Sequence, residues 1–95
     1  MVVISRGLKD RNLCILRSVE KDFKILFGQR LRQLRKEVGL SQEALAHESG
    51  LDRSYVGGVE RGQYNISLLN ICQLAVALGV SPHELLKFQA KGQKQ

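Results

Sequence analysis

From Phe27 onward, apolar residues recur with a helical period. Phe27, Leu31, Leu34 and Val38 fall at i, i+4, i+7 and i+11, on one face of a helix that starts at Phe23. Arg30, Gln33, Lys36 and Glu37 point elsewhere, and Gly39 ends the helix. Ser41 supplies a capping oxygen for a short second helix that contains Gln42 to His47 and stops at Gly50. Asp52 caps a third helix reaching Glu60, closed by Arg61-Gly62. After the polar loop 63–66, Ser67 caps a fourth helix whose Leu68, Ile71, Cys72, Ala75 and Leu78 line one side, with Gly79 as its stop. Ser81-Pro82-His83-Glu84 reads as a capping box that opens a fifth helix carrying Leu85, Leu86 and Phe88. The pattern is all-α, with five helices.

The two ends lack this regularity. Residues 1–21 have no clear period, so three readings stay open for them: a strand, a short helix packed on a partner subunit, or disorder. The tail AKGQKQ, residues 90–95, is expected to fray. The expected organisation is therefore an extension over 1–21, one helical domain over 22–89 and a flexible tail over 90–95.

Length and composition narrow the function. A 95-residue chain buries one modest core, which leaves no room for a separate ligand domain. No cofactor and no small-molecule effector are expected. No run is long and apolar enough to cross a bilayer, and MVVISRGLKDR is too short in its apolar part for a secretory signal, so a cytoplasmic protein is expected. Cys14 and Cys72 form no C-x-x-C pair, and His47 and His83 have no carboxylate or cysteine at ligand spacing. Neither a metal site nor an enzyme is indicated.

The formal net charge of +6 favours an anionic partner, but its placement matters more. Residues 23–40 hold Lys24, Arg30, Arg32, Arg35 and Lys36 against Glu37. Residues 41–66 hold four acids against Arg53 and Arg61. Arg30, Arg32 and Lys36 read equally as a solvated face or as phosphate contacts.

The stretch QEALAHESGLDRSYVGGVER carries several steric requirements in register. Ala46 is small where the second helix crosses the third, Gly50 allows a tight turn, and Leu45, Val56 and Val59 point into the core. With the following SLLNICQLAVALGVSPHELL, the chain over about residues 23–88 resembles the Cro/CI-like, or XRE-type, helix-turn-helix regulators, and the wording LDRSYVGGVERG looks most like restriction-modification controller members.

That resemblance implies a five-helix lambda-repressor-like domain with an N-terminal extension, acting as a DNA-binding transcriptional regulator. It implies base contacts from Arg53, Ser54, Tyr55 and Gly57 and a phosphate contact from Gln42. It also implies that Arg35 pairs with Glu60. Arg61, Gln63, Tyr64 and Asn65 form a polar loop suited to clamping the DNA backbone. A planar Arg53 fork suits O6 and N7 of guanine. Tyr55 also reads as a core aromatic, and Leu85, Leu86 and Phe88 as core or as dimer contacts. Gly57-Gly58 departs from many relatives at positions where side chains often reach bases, which calls for a close approach by DNA or a partner, or for a helix that orders on binding.

The expected partners are double-stranded DNA and a second copy of the chain, reading a pseudo-palindrome with recognition helices about 34 Å apart. A reading from another class stays open beside it: a protein-interaction module, such as an antitoxin or adaptor, built on the same helices.

Overall fold

The computed structural model describes the backbone of residues 10–89 and the side chains of 22–89. It contains α1 (Asp10–Glu37), α2 (Gln42–Ser49), α3 (Arg53–Glu60), α4 (Leu68–Leu78) and α5 (Pro82–Leu85). The family-like all-helical order therefore holds, with one extension. The first helix begins at Asp10, well before the Phe23 start suggested by apolar spacing. Residues 10–21 are its first turns, while the readings for residues 1–9 and the tail 90–95 lie outside the described residues.

Local chemistry sets the helix ends. Ser41 Oγ accepts from Ala44 N at 3.0 Å, Asp52 Oδ2 from Ser54 N at 3.1 Å, and Ser67 Oγ from Asn70 N at 3.1 Å. Each satisfies one of the backbone donors that a helix start leaves unpaired. Gly50 takes φ of 76°, a left-handed conformation costly for a residue with a Cβ, and its N–H turns back to the carbonyl of His47. Only residues 50–52 separate α2 from α3.

The core gathers Phe27, Leu31 and Leu34 of α1, Leu45 and Ala46 of α2, Val56 and Val59 of α3, Leu74, Ala75 and Leu78 of α4, and Leu85. Helix α1 packs on α3 and α5, α2 on α3 and α4, and α4 on α5. The contact between α1 and α3 is a backbone approach. A Cβ at Gly28 would stand 2.6 Å from the carbonyl oxygen of Glu60, so only glycine fits there.

Three apolar expectations need correction. Val38 is 45% exposed, because α1 ends at Glu37 and the i+11 position falls in the turn. On α4 the buried stripe is Leu74, Ala75 and Leu78 with Ile71 beside it. Leu68, in the first turn, is 75% exposed, and Cys72 is half-buried. The capping box at Ser81 does not form: Ser81 makes no side-chain cap, and the Glu84 carboxylate is drawn to Arg30. Helix α5 is accordingly a single turn that buries Leu85 and leaves Leu86 51% exposed.

Candidate nucleic-acid interface

A buried polar knot ties three helices together. Arg35 Nε donates to Glu60 Oε2 at 2.6 Å and Nη2 to Glu60 Oε1 at 3.1 Å, a forked contact between α1 and α3. The third guanidinium nitrogen, Nη1, donates to the carbonyl of Leu40 at 2.8 Å. Gln42 Nε2 donates to Glu60 Oε1 at 2.9 Å. The two charged side chains are only 10% and 3% exposed, so ions taken out of water here are compensated by geometry and further hydrogen bonds. The knot holds the start of α2 against the end of α3. Gln42, the first residue of α2, is therefore oriented by Glu60, while the first-turn N–H groups of α2 stay directed out of the helix.

At the other end of α3, Arg53 and Ser54 are exposed. Ser54 donates both its backbone N–H and its hydroxyl to Asp52. Those two hydrogen bonds, the hydroxyl first, hold the Asp52 carboxyl below its ordinary value of 3.8. Two consequences follow. The start of α3 already carries a carboxylate, so it is no vacant anion site. Ser54, its proton committed, offers acceptor lone pairs outward, which leaves Arg53 as the donor at this end.

Tyr55 does not share that outward direction. It packs half-buried against the core, its hydroxyl accepts from Asn70 Nδ2 at 3.1 Å, and its ring stacks on Tyr64 with centroids 5.1 Å apart. Asn70 was not singled out from sequence; its only signal is a polar residue in the first turn of a largely apolar helix. Tyr64, a proposed backbone clamp, is thereby anchored by its ring while remaining 45% exposed.

This stack also accounts for one of the paired glycines. A Cβ at Gly58 would lie 2.9 Å from Cδ2 of Tyr64, so the close neighbour at this position belongs to the chain's own loop. A Cβ at Gly57 would meet Arg61 Nη1 at 3.2 Å and Gln42 Oε1 at 3.5 Å. Arg61, Gln63 and Asn65 are exposed, with Arg61 Nη2 donating to Gln63 Oε1 at 3.3 Å.

The structure thus brings Gln42, Gly57, Arg61, Arg35 and Glu60 into one neighbourhood and puts Arg53 and Ser54 at the far end of the same helix. Of the basic residues on α1, Arg30 is committed to α5: its Nε donates to the Glu84 carbonyl at 2.8 Å and its Nη2 to the Glu84 carboxylate at 3.1 Å. Arg32 and Lys36 are exposed. Among the described residues no cluster of three metal-ligating side chains occurs, and no helix is long and apolar enough to cross a membrane.

Two helices joined by a three-residue turn, the second presenting its polar edge, define a helix-turn-helix DNA-binding unit. The helix-turn-helix family profile matches residues 31–85, and the chain belongs to that family, the XRE-type transcriptional regulators. The control protein C.BamHI of Bacillus amyloliquefaciens is 46% identical over 72 residues, 75% of this chain and 89% of the relative. The crystal structure of the restriction-modification controller protein C.AhdI from Aeromonas hydrophila is similar at 68% identity with a TM-score of 0.65, covering 65% of this chain and 94% of that one. The biofilm master regulator SinR, crystallised in complex with DNA, is 40% identical with a TM-score of 0.61, covering 64% and 98%.

Proposed function

We propose that the protein is a cytoplasmic, non-enzymatic regulator of transcription that binds a pseudo-palindromic operator as a homodimer, with residues 22–89 as the DNA-binding unit. The observation that carries this reading is the knot of Arg35, Glu60 and Gln42. It sets the start of α2 and the polar edge of α3 at a fixed angle, which is what simultaneous phosphate and major-groove contact requires. Arg53 and Ser54 meet base edges, Gln42 meets a phosphate, and Gln63, Tyr64 and Asn65 hold the backbone beyond. Tyr55 acts from beneath, as the ring on which Tyr64 rests.

A second copy is accommodated by the apolar groove of about 420 Å³ that Phe23, Phe27, Tyr64, Ile66, Leu86 and Phe88 line. Exposed apolar surface of this kind is ordinarily covered in the working assembly. Protein concentration would then control occupancy through dimerisation.

Selection from a random duplex pool with purified protein, followed by titration of the winning sequence against a scrambled duplex, tests the reading. A two-fold-symmetric motif bound at least about a thousandfold more tightly is expected. Arg53→Ala should relax preference at one base pair and cost roughly 1–3 kcal/mol, whereas Gln42→Ala should weaken all sequences alike. Binding that follows salt and ignores sequence would instead leave a helical module whose partner is another protein.

A further inference from the structure

At 100° per residue, Ser54, Gly57, Gly58 and Arg61 form the face of α3 opposite the buried Val56 and Val59; Ser54 and Arg61 are exposed, and the two glycines between them are covered. Its middle has no side chains of its own. The space is filled from the C-terminal side instead: the Tyr64 ring covers Gly58, and the Arg61 guanidinium folds back by one turn to lie above Gly57. Side chains on a helix lean toward its N-terminus, so this direction is the natural one for Arg61.

The guanidinium is tied at one end and borders the Gly57 notch at the other. One terminal nitrogen, Nη2, donates to Gln63 Oε1 at 3.3 Å, and the other, Nη1, rests 3.2 Å from where a Cβ of residue 57 would stand. Gln42 Oε1 borders the same notch, its amide fixed by Glu60. An Arg fork suits a phosphate as well as a base edge, so its place on the helix decides between them. A planar fork laid on the groove-facing side of a recognition helix has the geometry for bidentate recognition of a base edge.

We propose that Arg61 is a specificity-determining residue that reads the O6 and N7 edge of a guanine, and that Gly57 is glycine in order to seat it. This replaces the backbone-clamp role suggested by its place in a polar loop. It rests on the DNA-reading function proposed above.

The test uses the full-length protein and the duplex selected from the random pool, with every single-base-pair variant of that duplex as competitor at one salt concentration. Arg61→Lys keeps the charge and removes the fork; Gly57→Ala keeps the fork and removes its seat. Both should lose discrimination at the same base pair, by roughly five- to 150-fold, and at a different pair from the one relaxed by Arg53→Ala. Gly57→Ala should at the same time melt at a higher temperature than the wild type, because alanine is the better helix former and its neighbours here are flexible side-chain ends. Lost specificity therefore cannot be lost folding. An unchanged base profile in Arg61→Lys overturns the proposal. So does an Arg61→Ala loss that is equal on all sequences and lowers the salt slope by about one, the behaviour of a phosphate contact. Failure of the wild type to enrich any motif would remove the underlying function and this inference with it, and is recognised by its appearing before any substitution is made.

Discussion

Gly28→Ala tests whether the backbone contact between α1 and α3 sets the geometry of the interface. A Cβ at residue 28 would lie 2.6 Å from the carbonyl oxygen and 2.8 Å from the carbonyl carbon of Glu60, with the Val59 carbonyl also in contact. These are backbone atoms inside a helix, so no rotamer change relieves the clash. Restoring ordinary contact requires α1 and α3 to separate by about 1 Å. Overpacking of this sort costs about 1–3 kcal/mol. The separation also stretches the 2.6 Å bond between Arg35 and Glu60, which loosens a buried pair that is expensive to leave half made. Alanine returns about 0.8–1 kcal/mol through helix propensity. The net expectation is destabilisation of about 2 kcal/mol, read as a fall in Tm of roughly 8–16 °C by circular dichroism at fixed protein concentration. A Tm equal to or above that of the wild type would refute the close-approach argument. The contrast with Gly57→Ala is informative, because the same chemical change there meets side-chain atoms and no backbone.

Two further outcomes are expected. Glu60→Ala and Arg35→Ala should each cost about 3–5 kcal/mol, since each leaves a buried partner unpaired, and the double variant should cost clearly less than their sum in urea unfolding; strict additivity would mean that the pair is not coupled. Asp52, whose carboxyl is held below 3.8 by Ser54, contributes its full stabilisation above that value and loses it as pH falls through its lower folded value. Thermal melts between pH 5 and about 2 should show part of the wild type's acid loss missing in Asp52→Asn, and parallel curves for the two proteins would contradict the cap's assignment.

Much of the fold could be read along the chain because the signals are local. A helix start is decided by an oxygen two or three residues before the N–H it satisfies, as at Ser41, Asp52 and Ser67, and a helix end by one permissive residue, as at Gly50. The boundaries of α2, α3 and α4 were accordingly legible. So was the exposure of Ser54, since the buried Val56 and Val59 fix the opposite face, and of Arg53, which opens the helix. The beginning of α1 was not, because residues before Phe23 show no amphipathic period although the helix runs from Asp10.

What periodicity could not supply was the identity of neighbours brought together by helix crossings. Glu84 looked like a local cap for α5, yet Arg30, 54 residues earlier, takes it. Leu68 and Leu74 have the same hydropathy, and only the position of the adjoining helices exposes one and buries the other. Tyr55 lies in the segment that reads as DNA-facing, and the amide of Asn70 together with the ring of Tyr64 turns it toward α4. Gly57 and Gly58 stood out in the sequence as a cost, explained there by a close approach of DNA or a partner or by a helix that orders on binding. The reason is steric: each leaves room for a side chain from just beyond the helix, Arg61 one turn on over the first and Tyr64 six residues on over the second. Sequence by itself determined where the helices begin and end, because capping and turn chemistry act within a few residues. Tertiary structure decided which side chains become neighbours across helices, as Arg30 with Glu84, Gly28 with Glu60 and Tyr55 with Asn70, because those contacts depend on crossing distances of a few ångströms between segments whose separation along the chain gives no sign of them.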